Sequence, residues 1–138
     1  MPSATHDVVI VGAGIAGIAC ALELLEQGRR VLLLDRDTPE RLGGLARLSF
    51  GGMFAVDTPE QRRAGIHDSV PLALADWHAF AEFDARSPWP RRWARAYVSH
   101  CTQHTYWWLR HKGIRYLPLP NWVERGQFTP GNSLPRFH

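Results

Sequence analysis

The chain has 138 residues, 45% of them hydrophobic and 21% charged, which is typical of about one globular domain. Its 16 Lys and Arg outnumber its 13 Asp and Glu by a net charge of +3, but the basic residues are spread along the chain, so no nucleic-acid partner is expected. No apolar run can span a membrane, and no secretory signal is visible. The two distant cysteines, Cys20 and Cys101, exclude a disulfide framework and favour a cytoplasmic protein.

The first elements form a strand–helix–strand pattern. Val8 to Val11 is an apolar, β-branched run, typical of a strand buried on both faces of a parallel sheet. Helical spacing of apolar residues predicts a helix over 15–27, and Gly28 is placed to end it. A second apolar run, Val31 to Leu34, predicts a parallel strand reached by a right-handed crossover.

The middle of the chain is predicted to pass from loop to helix. Residues 41–54 are rich in glycine and predict a loop with at most a short helical turn. Thr58, Pro59 and Gln61 match the N-cap, N1 and N3 positions of a capped helix. A further helix is predicted to begin at Ser69.

The C-terminal third contains the longest predicted helix, over 91–112, which Gly113 ends. Residues 114–126 predict at most a short edge strand, because two prolines interrupt the run. The final stretch, 126–138, is predicted to be loop.

Three glycines, Gly12, Gly14 and Gly17, follow the first strand with the spacing G-x-G-x-x-G. This pattern is informative in its context, because it stands between a strand and a helix and an acid ends the next strand. Asp35 lies 23 positions beyond Gly12, close to the roughly 20 expected of an acid that binds an adenosine ribose. A carboxylate there argues against a 2′-phosphate, and the neighbouring Arg36 is included among the predicted cofactor-binding residues.

Each glycine has a physical reason in a dinucleotide site. Gly12 permits a tight turn, Gly14 lets a phosphate approach the main chain, and Gly17 lets the helix pack close to the strand. The amides of Ile15, Ala16 and Gly17 would face the pyrophosphate, whose negative charge the helix dipole favours. The alternative is a glycine-rich turn that binds no ligand.

Three stretches of the sequence resemble known flavoproteins. "DVVIVGAGIAGIACALELLEQGRRVLLLD" resembles the N-terminal FAD-binding segment of two-dinucleotide-binding flavoproteins. "GGLARLSFGGMFAVDTPEQRRAGIHDS" and "GNSLPRFH" are more specific and resemble bacterial FAD-binding dehydrogenases. These are related to 3-ketosteroid Δ1-dehydrogenases and, more distantly, to fumarate reductase flavoproteins. The resemblance runs from about Asp7 to the end of the chain.

The resemblance implies FAD as cofactor and a redox reaction at a carbon–carbon bond next to a carbonyl. The substrate class it implies is an apolar ketone, such as a 3-ketosteroid. Beyond the residues already named, it implies that Gly43 and Gly44 lie along the cofactor and that Ser49, Gly51 and Gly52 approach the flavin ring. The alternatives are a simple loop hydroxyl at Ser49 and a flexible turn at Gly51 and Gly52.

The predicted fold is α/β: a Rossmann-like βαβ unit followed by a mainly helical segment. Residues 1–56 are predicted to form the FAD-binding unit, and residues 57–138 the helical segment. Members of the family are several times longer, so the chain is expected to be the N-terminal part of a larger enzyme, incomplete relative to the full fold. The missing part could be a separate chain. The rival interpretations are a stand-alone NAD- or ADP-binding module and an inactive remnant.

No catalytic residue is assigned, and no metal site is predicted. His100, His104 and His111 share one face of the predicted helix, but their span is too long for one ion, so this face is expected to pack. Cys20 is expected to be a covered apolar filler, not a nucleophile. Two alternatives stay open: the tryptophans are core or line a substrate site, and Arg136 and His138 are structural or contact substrate or flavin. The tryptophans concerned are Trp89, Trp93, Trp107, Trp108 and Trp122.

Overall fold

The computed structural model describes residues 5–84, 86–117, 123, 125 and 130–138. The chain divides into two compact units, Met1–Gly51 and Gly52–His138. The functional boundary predicted after residue 56 stays a prediction.

The first unit is a βαβ unit, as predicted. Strand β1 spans Val8–Val11, helix α1 spans Ile15–Glu26, and strand β2 spans Val31–Leu34. The strands are parallel, and Val8 pairs with Val31 at the start of the ladder. Gly28 adopts φ +73° directly after α1, which confirms it as the left-handed stop. The apolar runs therefore form the predicted sheet.

One face of this two-stranded sheet lies open among the described residues, which differs from the prediction of burial on both faces. Val9 and Val11 share that face and are 56% and 84% exposed. They point to the side opposite Val8 and Ile10, which are half-buried. The reason is architectural: a single helix can cover only one face of a sheet.

A loop with two 3₁₀ turns, Pro39–Arg41 and Gly44–Leu48, follows β2 in the first unit. The second turn is the short helical segment that the sequence predicted within 41–54. Cys20, on α1, is exposed, so the expectation that it would be a covered filler is wrong for this chain.

The second unit contains four α-helices among the described residues. Helix α2 spans Pro59–Arg63, α3 spans Val70–Ala81, α4 spans Pro88–His100, and α5 spans Trp107–His111. The capping box predicted for α2 is present: the Gln61 amide donates to Thr58 Oγ1 at 3.2 Å, and the Thr58 amide donates to Gln61 Oε1 at 3.0 Å.

The core of this unit lies between α3, α4 and the segment that precedes α2. Its centre is a cluster of small buried residues, and aromatic rings close around it. The Phe54 and Trp77 ring centroids are 5.3 Å apart in an edge-to-face contact, and Trp77 packs similarly on Tyr97 at 5.9 Å. The members of the central cluster are Val56, Ala73, Val98 and Cys101.

The helix predicted over 91–112 begins earlier, at Pro88, and a π-helical turn over Cys101–Tyr106 separates α4 from α5. The π-helical turn lengthens the spacing of the buried residues by one position. They lie at 94, 98 and 101, and the next one follows five positions later, at 106. Thr102 lies within it, where its hydroxyl donates to the Val56 carbonyl and accepts from the Val56 amide. This long-range contact gives no signal in the local sequence.

The histidine face of this helix is exposed, which corrects the expectation that it packs. Trp93 is 72% exposed, and His100, His104 and His111 are exposed as well. The buried stripe lies on another side of α4, through Ala94 and Val98. Small residues mark the packed face because α3 approaches closely there.

The remaining C-terminal predictions are only partly covered by the structure. Residues 114–117 form no strand, and most of the predicted edge strand, with Trp122, lies outside the described residues. Residues 130–138 are loop, as predicted, apart from one isolated antiparallel bridge between Phe54 and Phe137.

Candidate functional site

Two of the three motif glycines are required by the first unit itself. Gly12 adopts φ +103°, in the region that favours glycine, and its amide donates to the Leu34 carbonyl at 2.7 Å. A Cβ built on Gly17 would overlap the Gly12 carbonyl oxygen and lie 3.0 Å from its carbonyl carbon. The turn out of β1 and the close packing of α1 therefore explain these two residues.

Gly14 has no such structural requirement. It is the N-cap of α1 in an extended conformation, φ −77° and ψ −178°, which any residue can adopt. A Cβ built on it meets no atom within 4 Å. Neither backbone strain nor packing requires a glycine here, although glycine is a favourable N-cap, and the open space lets a ligand approach the main chain.

The start of α1 offers unsatisfied hydrogen-bond donors. The first amides of a helix have no intrahelical acceptor, and Gly14 brings no capping side chain. The first turn also carries no acidic residue. The amides of Ile15, Ala16 and Gly17 thus lie at the positive end of a 12-residue helix, an arrangement suited to an anion.

Asp35 lies against this turn. Its Oδ2 accepts from the Ala13 amide at 2.5 Å, and its Oδ1 accepts from the Asp37 amide at 2.8 Å. These two hydrogen bonds hold the pKa of the Asp35 carboxyl below its usual value, and the bond from Ala13 has the larger effect. A carboxylate has about four acceptor positions, and the Arg36 amide also helps to lower this pKa, so about one position remains for a further donor.

The glycine pair of the 3₁₀ loop meets the same turn. The Gly43 amide donates to the Ala13 carbonyl at 2.9 Å, and Gly43 forms a parallel bridge with Gly14. A Cβ on Gly44 would lie 3.4 Å from the Gly14 Cα, and Gly44 has φ +58°. The structure thus brings three sequence-distant segments, the motif, Asp35 and the glycine pair, to one place.

Other predicted residues do not join this cluster in the structure. The Arg36 side chain is exposed, although the amide and the charge of this residue help to lower the pKa of Asp35. Ser49 accepts a local hydrogen bond from the Gly51 amide at 3.4 Å. Gly51 has φ +80° and open space around it. Their assignment to the cofactor stays a prediction.

Gly52 belongs to the second unit and has a structural explanation there. A Cβ built on it would overlap the Phe137 ring. Glycine at position 52 is therefore needed for this packing, whatever its relation to the cofactor, which stays a prediction.

The two stretches that carried the specific resemblance meet in the second unit, a feature that the sequence did not predict. Met53 and His138 exchange backbone hydrogen bonds of 2.9 and 2.8 Å, and the Ala55 amide donates to the Arg136 carbonyl at 3.1 Å. The segments are about 80 positions apart, and only their joint resemblance to one family could have linked them.

Arg136 holds these segments through a buried ion network. Its fully buried guanidinium donates to both carboxylate oxygens of Asp68, at 2.7 and 2.8 Å, and to Asp76 at 2.6 Å. Gln61 joins the network, donating to Asp68 at 3.0 Å and to the Pro135 carbonyl at 2.9 Å. This geometry favours the structural interpretation of Arg136, because its charge is neutralised inside the unit.

His138 is fixed in one tautomer by its two neighbours. Nδ1 lies 2.8 Å from the Arg136 carbonyl, which can only accept, so Nδ1 carries the proton. Nε2 then accepts from the Thr58 hydroxyl at 2.7 Å. Burial lowers the pKa of His138 below 6.5, although the Arg136 carbonyl, Glu60 and Asp68 oppose the shift.

Two negative observations apply to the described part of the chain. No group of three or more potential metal ligands occurs there. No helix there combines the length and apolar character that crossing a bilayer requires.

A parallel βαβ unit with a glycine-rich turn and uncapped amides at the start of its helix is the architecture of a dinucleotide-binding domain. The chain belongs to the FAD-binding domain family, whose model matches residues 7–135. FAD is accordingly its cofactor, and the predicted family is confirmed.

The chain is similar to steroid dehydrogenases and to a fumarate reductase. The chain is 48% identical over 139 residues to the KsdD-like steroid dehydrogenase of Mycolicibacterium smegmatis, covering 98% of this chain and 25% of that protein. Its structure is similar to a 3-ketosteroid-Δ4-(5α)-dehydrogenase from Rhodococcus jostii RHA1 in complex with 4-androstene-3,17-dione, at 28% identity and a TM-score of 0.68, covering 82% of this chain and 22% of that one.

The open conformation of a flavocytochrome c3 fumarate reductase is a second similar structure, at 26% identity and a TM-score of 0.70. The match covers 96% of this chain and 22% of that chain. The chain thus spans about a quarter of the length of the relatives it matches.

Proposed function

We propose that the chain binds the diphosphate of FAD at the start of α1 and serves a flavin-dependent dehydrogenase that acts on an apolar, steroid-like ketone. The reaction class is oxidation or reduction of a carbon–carbon bond next to a carbonyl. The names of the steroid dehydrogenase relatives support the substrate class, and the bound 4-androstene-3,17-dione of the Rhodococcus structure supports it independently.

The observation that carries the cofactor site is Gly14. Its backbone is relaxed and the space beside it is open, so neither strain nor packing inside the unit requires a glycine there. A diphosphate resting there would meet the amides of Ile15, Ala16 and Gly17. The open space beside Gly14, which a side chain would occupy, fits the proposed diphosphate.

The other residues of the cluster have separate tasks in this proposal. Asp35 would accept a hydrogen bond from the adenosine ribose through its remaining acceptor position. Gly43 and Gly44 would let the extended cofactor pass close to the main chain. Bound FAD would supply the redox chemistry, while the chain supplies orientation and electrostatics.

The exposed sheet face of Val9 and Val11 supports the proposal that further polypeptide packs against this chain. Parallel strands are normally covered on both faces, and the relatives are about four times as long. In our proposal, polypeptide equivalent to the remainder of the relatives covers this face, either within the same protein or as a separate chain. The catalytic acid and base would come from that polypeptide.

We further propose that the protein is cytoplasmic. Cys20 and Cys101 are both free thiols, and the exposed one is suited to a reducing compartment.

The test is FAD affinity across a size series at Gly14. Gly14→Ala and Gly14→Val should weaken FAD binding progressively, by roughly ten- to a hundredfold for valine, the loss of about 1.5–3 kcal/mol of hydrogen bonding to a charged phosphate. Isothermal titration measures the affinity, and a thermal melt shows that the fold is kept.

Cys20→Val provides the matched control, because it adds a β-branched side chain to the exposed surface of the same helix. Its FAD affinity should equal that of the parent. Unchanged affinity in Gly14→Val would refute the site, and binding of NAD or ADP without FAD would favour a dinucleotide module of another kind.

A further inference from the structure

The π-helical turn places a tyrosine against a buried carboxylate in the second unit. Tyr106 is 1% exposed and Glu60, on α2, is 7% exposed, and the Tyr106 hydroxyl donates to Glu60 Oε2. The other oxygen of this carboxylate accepts from the Arg63 guanidinium at 2.6 Å. Two residues that are 46 positions apart thus form a phenol–carboxylate pair that solvent hardly reaches.

Each group of this pair has a defined protonation state at neutral pH. Burial raises the pKa of Glu60, but the hydrogen bond from Tyr106 and the other contacts outweigh it, so the pKa lies below its usual value and the carboxylate is ionised. Burial, followed by the bond to Glu60, raises the pKa of Tyr106, so the phenol keeps its proton. A proton donor therefore lies in direct contact with an unprotonated acceptor.

This pairing distinguishes Tyr106 from the other two tyrosines of the chain. Within the described residues, the Tyr97 hydroxyl donates to the Phe54 carbonyl at 2.7 Å, and the Tyr116 hydroxyl donates to Met53 Sδ at 2.9 Å. A peptide carbonyl and a thioether accept a hydrogen bond but do not take up the proton. Because a phenol becomes strongly acidic when it loses an electron, the carboxylate makes Tyr106 the tyrosine that is easiest to oxidise.

Aromatic rings connect Tyr106 with the edge of the unit. The ring of Trp107, a residue that is 41% exposed, meets the Tyr106 ring edge to face, with 5.1 Å between the centroids. The Tyr116 ring stacks on Tyr106 at 4.8 Å and an interplanar angle of 12°. Electrons pass readily between aromatic rings in van der Waals contact, so Trp107 provides a route between solvent and the buried phenol.

We propose that Tyr106 and Glu60 form a one-electron redox site, which Trp107 connects to one-electron oxidants in solution, such as peroxyl radicals. Trp107 gives one electron to the oxidant and takes one from Tyr106, while the phenolic proton moves to Glu60 Oε2. The products are the oxidant reduced by one electron, a neutral tyrosyl radical and a protonated Glu60. One electron from a thiolate, which becomes a thiyl radical, restores Tyr106 when Glu60 returns the proton. This inference does not depend on the proposed flavin function.

A purely structural role of the pair leads to a different expectation. The hydrogen bond between Tyr106 and Glu60 also ties the π-helical turn to α2, so its loss should lower the stability of the unit even if the phenol is never oxidised. Stability alone therefore cannot decide between the two roles. The location of a radical and the rate at which it forms do decide, because a purely structural bond sets neither of them.

Flash photolysis of the complete chain without flavin tests the proposal. Tris(bipyridine)ruthenium(III), generated by the flash, is the oxidant, and electron paramagnetic resonance of frozen samples identifies the radical. Ring-deuterated tyrosine should narrow the signal, and Tyr106→Phe should remove most of it. Transient absorption measures the rate, which Glu60→Gln should lower by about a hundredfold or more, the usual contribution of a positioned proton acceptor. Trp107→Phe should also lower this rate, because it interrupts the route.

Tyr97→Phe is the matched control, because it removes the hydroxyl of another tyrosine of the same unit whose partner is a carbonyl. Its radical yield and rate should equal those of the parent, and thermal melts show whether each variant is folded. In the parent itself, the radical should form more slowly in D2O than in H2O. A parent-like signal in Tyr106→Phe, a parent-like rate in Glu60→Gln or Trp107→Phe, an equal loss in Tyr97→Phe, or equal rates in the two solvents would overturn the proposal.

Discussion

At the scale of single residues, the three motif glycines should differ in their effect on stability. Gly17→Ala should destabilise the chain by about 1–3 kcal/mol, the usual cost of overpacking, because its Cβ would overlap the Gly12 carbonyl. Gly14→Ala should cost less, at most about 1 kcal/mol, because the space beside it is open and only the poorer helix capping of alanine counts against it. Urea unfolding followed by circular dichroism measures both variants.

Equal destabilisation by the two substitutions would contradict the separate reasons given for Gly14 and Gly17. The spacing of the glycines predicted the structural tasks of Gly12 and Gly17, because those tasks follow from backbone geometry, and the phosphate contact of Gly14 stays a prediction. The hydrogen bond from the Ala13 amide to Asp35 was not predictable, since a side chain 22 positions away makes it.

At the scale of elements, the C-terminal stretch should depend on one buried cation. Arg136→Met should cost about 3–5 kcal/mol of stability, because it leaves Asp68 and Asp76 without their buried partner. Arg62→Met is the matched control: its ion pair with Asp57 is exposed, and its loss should cost less than about 1 kcal/mol. Urea unfolding of the two variants provides the comparison.

Hydrogen exchange locates the effect of Arg136→Met. The amides of Met53, Ala55 and His138, which pair the two segments, should lose protection first. Protection that is unchanged, or lost evenly over the unit, would show that the ion network does not hold the C-terminal stretch.

His138 should make the second unit sensitive to mild acid. Its folded pKa is lowered by burial, so the unfolded chain takes up a proton first as the pH falls. Its contribution to stability is complete above the unfolded value of 6.5 and declines as the pH falls below it. The free energy of unfolding should therefore decrease between about pH 7 and pH 5.

His138→Gln is the control for this pH dependence, because glutamine does not titrate. The difference in stability between parent and variant should change over that pH range, and a constant difference would contradict the assignment. Carboxylates such as Asp76, whose pKa is lowered despite burial, act at lower pH and do not confuse the comparison.

The elements differ in how well the sequence predicted them. Strands β1 and β2 and helix α1 were predictable because period and capping signals are local. The π-helical turn was not, because Thr102 and Tyr106 are placed by contacts with Val56 and Glu60, about 46 positions away. The exposed side of α4 was also misjudged. Its aromatic residues suggested packing, but the side that packs carries the small residues Ala94 and Val98.

At the scale of the whole molecule, the chain should associate with the complement proposed above. A polypeptide equivalent to the remaining three quarters of the relatives should co-purify with it and slow the release of FAD. Val11→Lys, on the open sheet face, should abolish this association, whereas Leu45→Lys should not. Association that is insensitive to Val11→Lys would place the contact elsewhere.

The most direct test of the central claim is a ¹H–¹⁵N spectrum of the chain during titration with FAD, since chemical shifts detect even weak binding. The account predicts that the largest shifts occur at the amides of Gly14, Ile15, Ala16 and Gly17, followed by Gly43 and Gly44. Amides at the start of α1 that stay unmoved at saturating FAD, or shifts concentrated elsewhere, would contradict the diphosphate site.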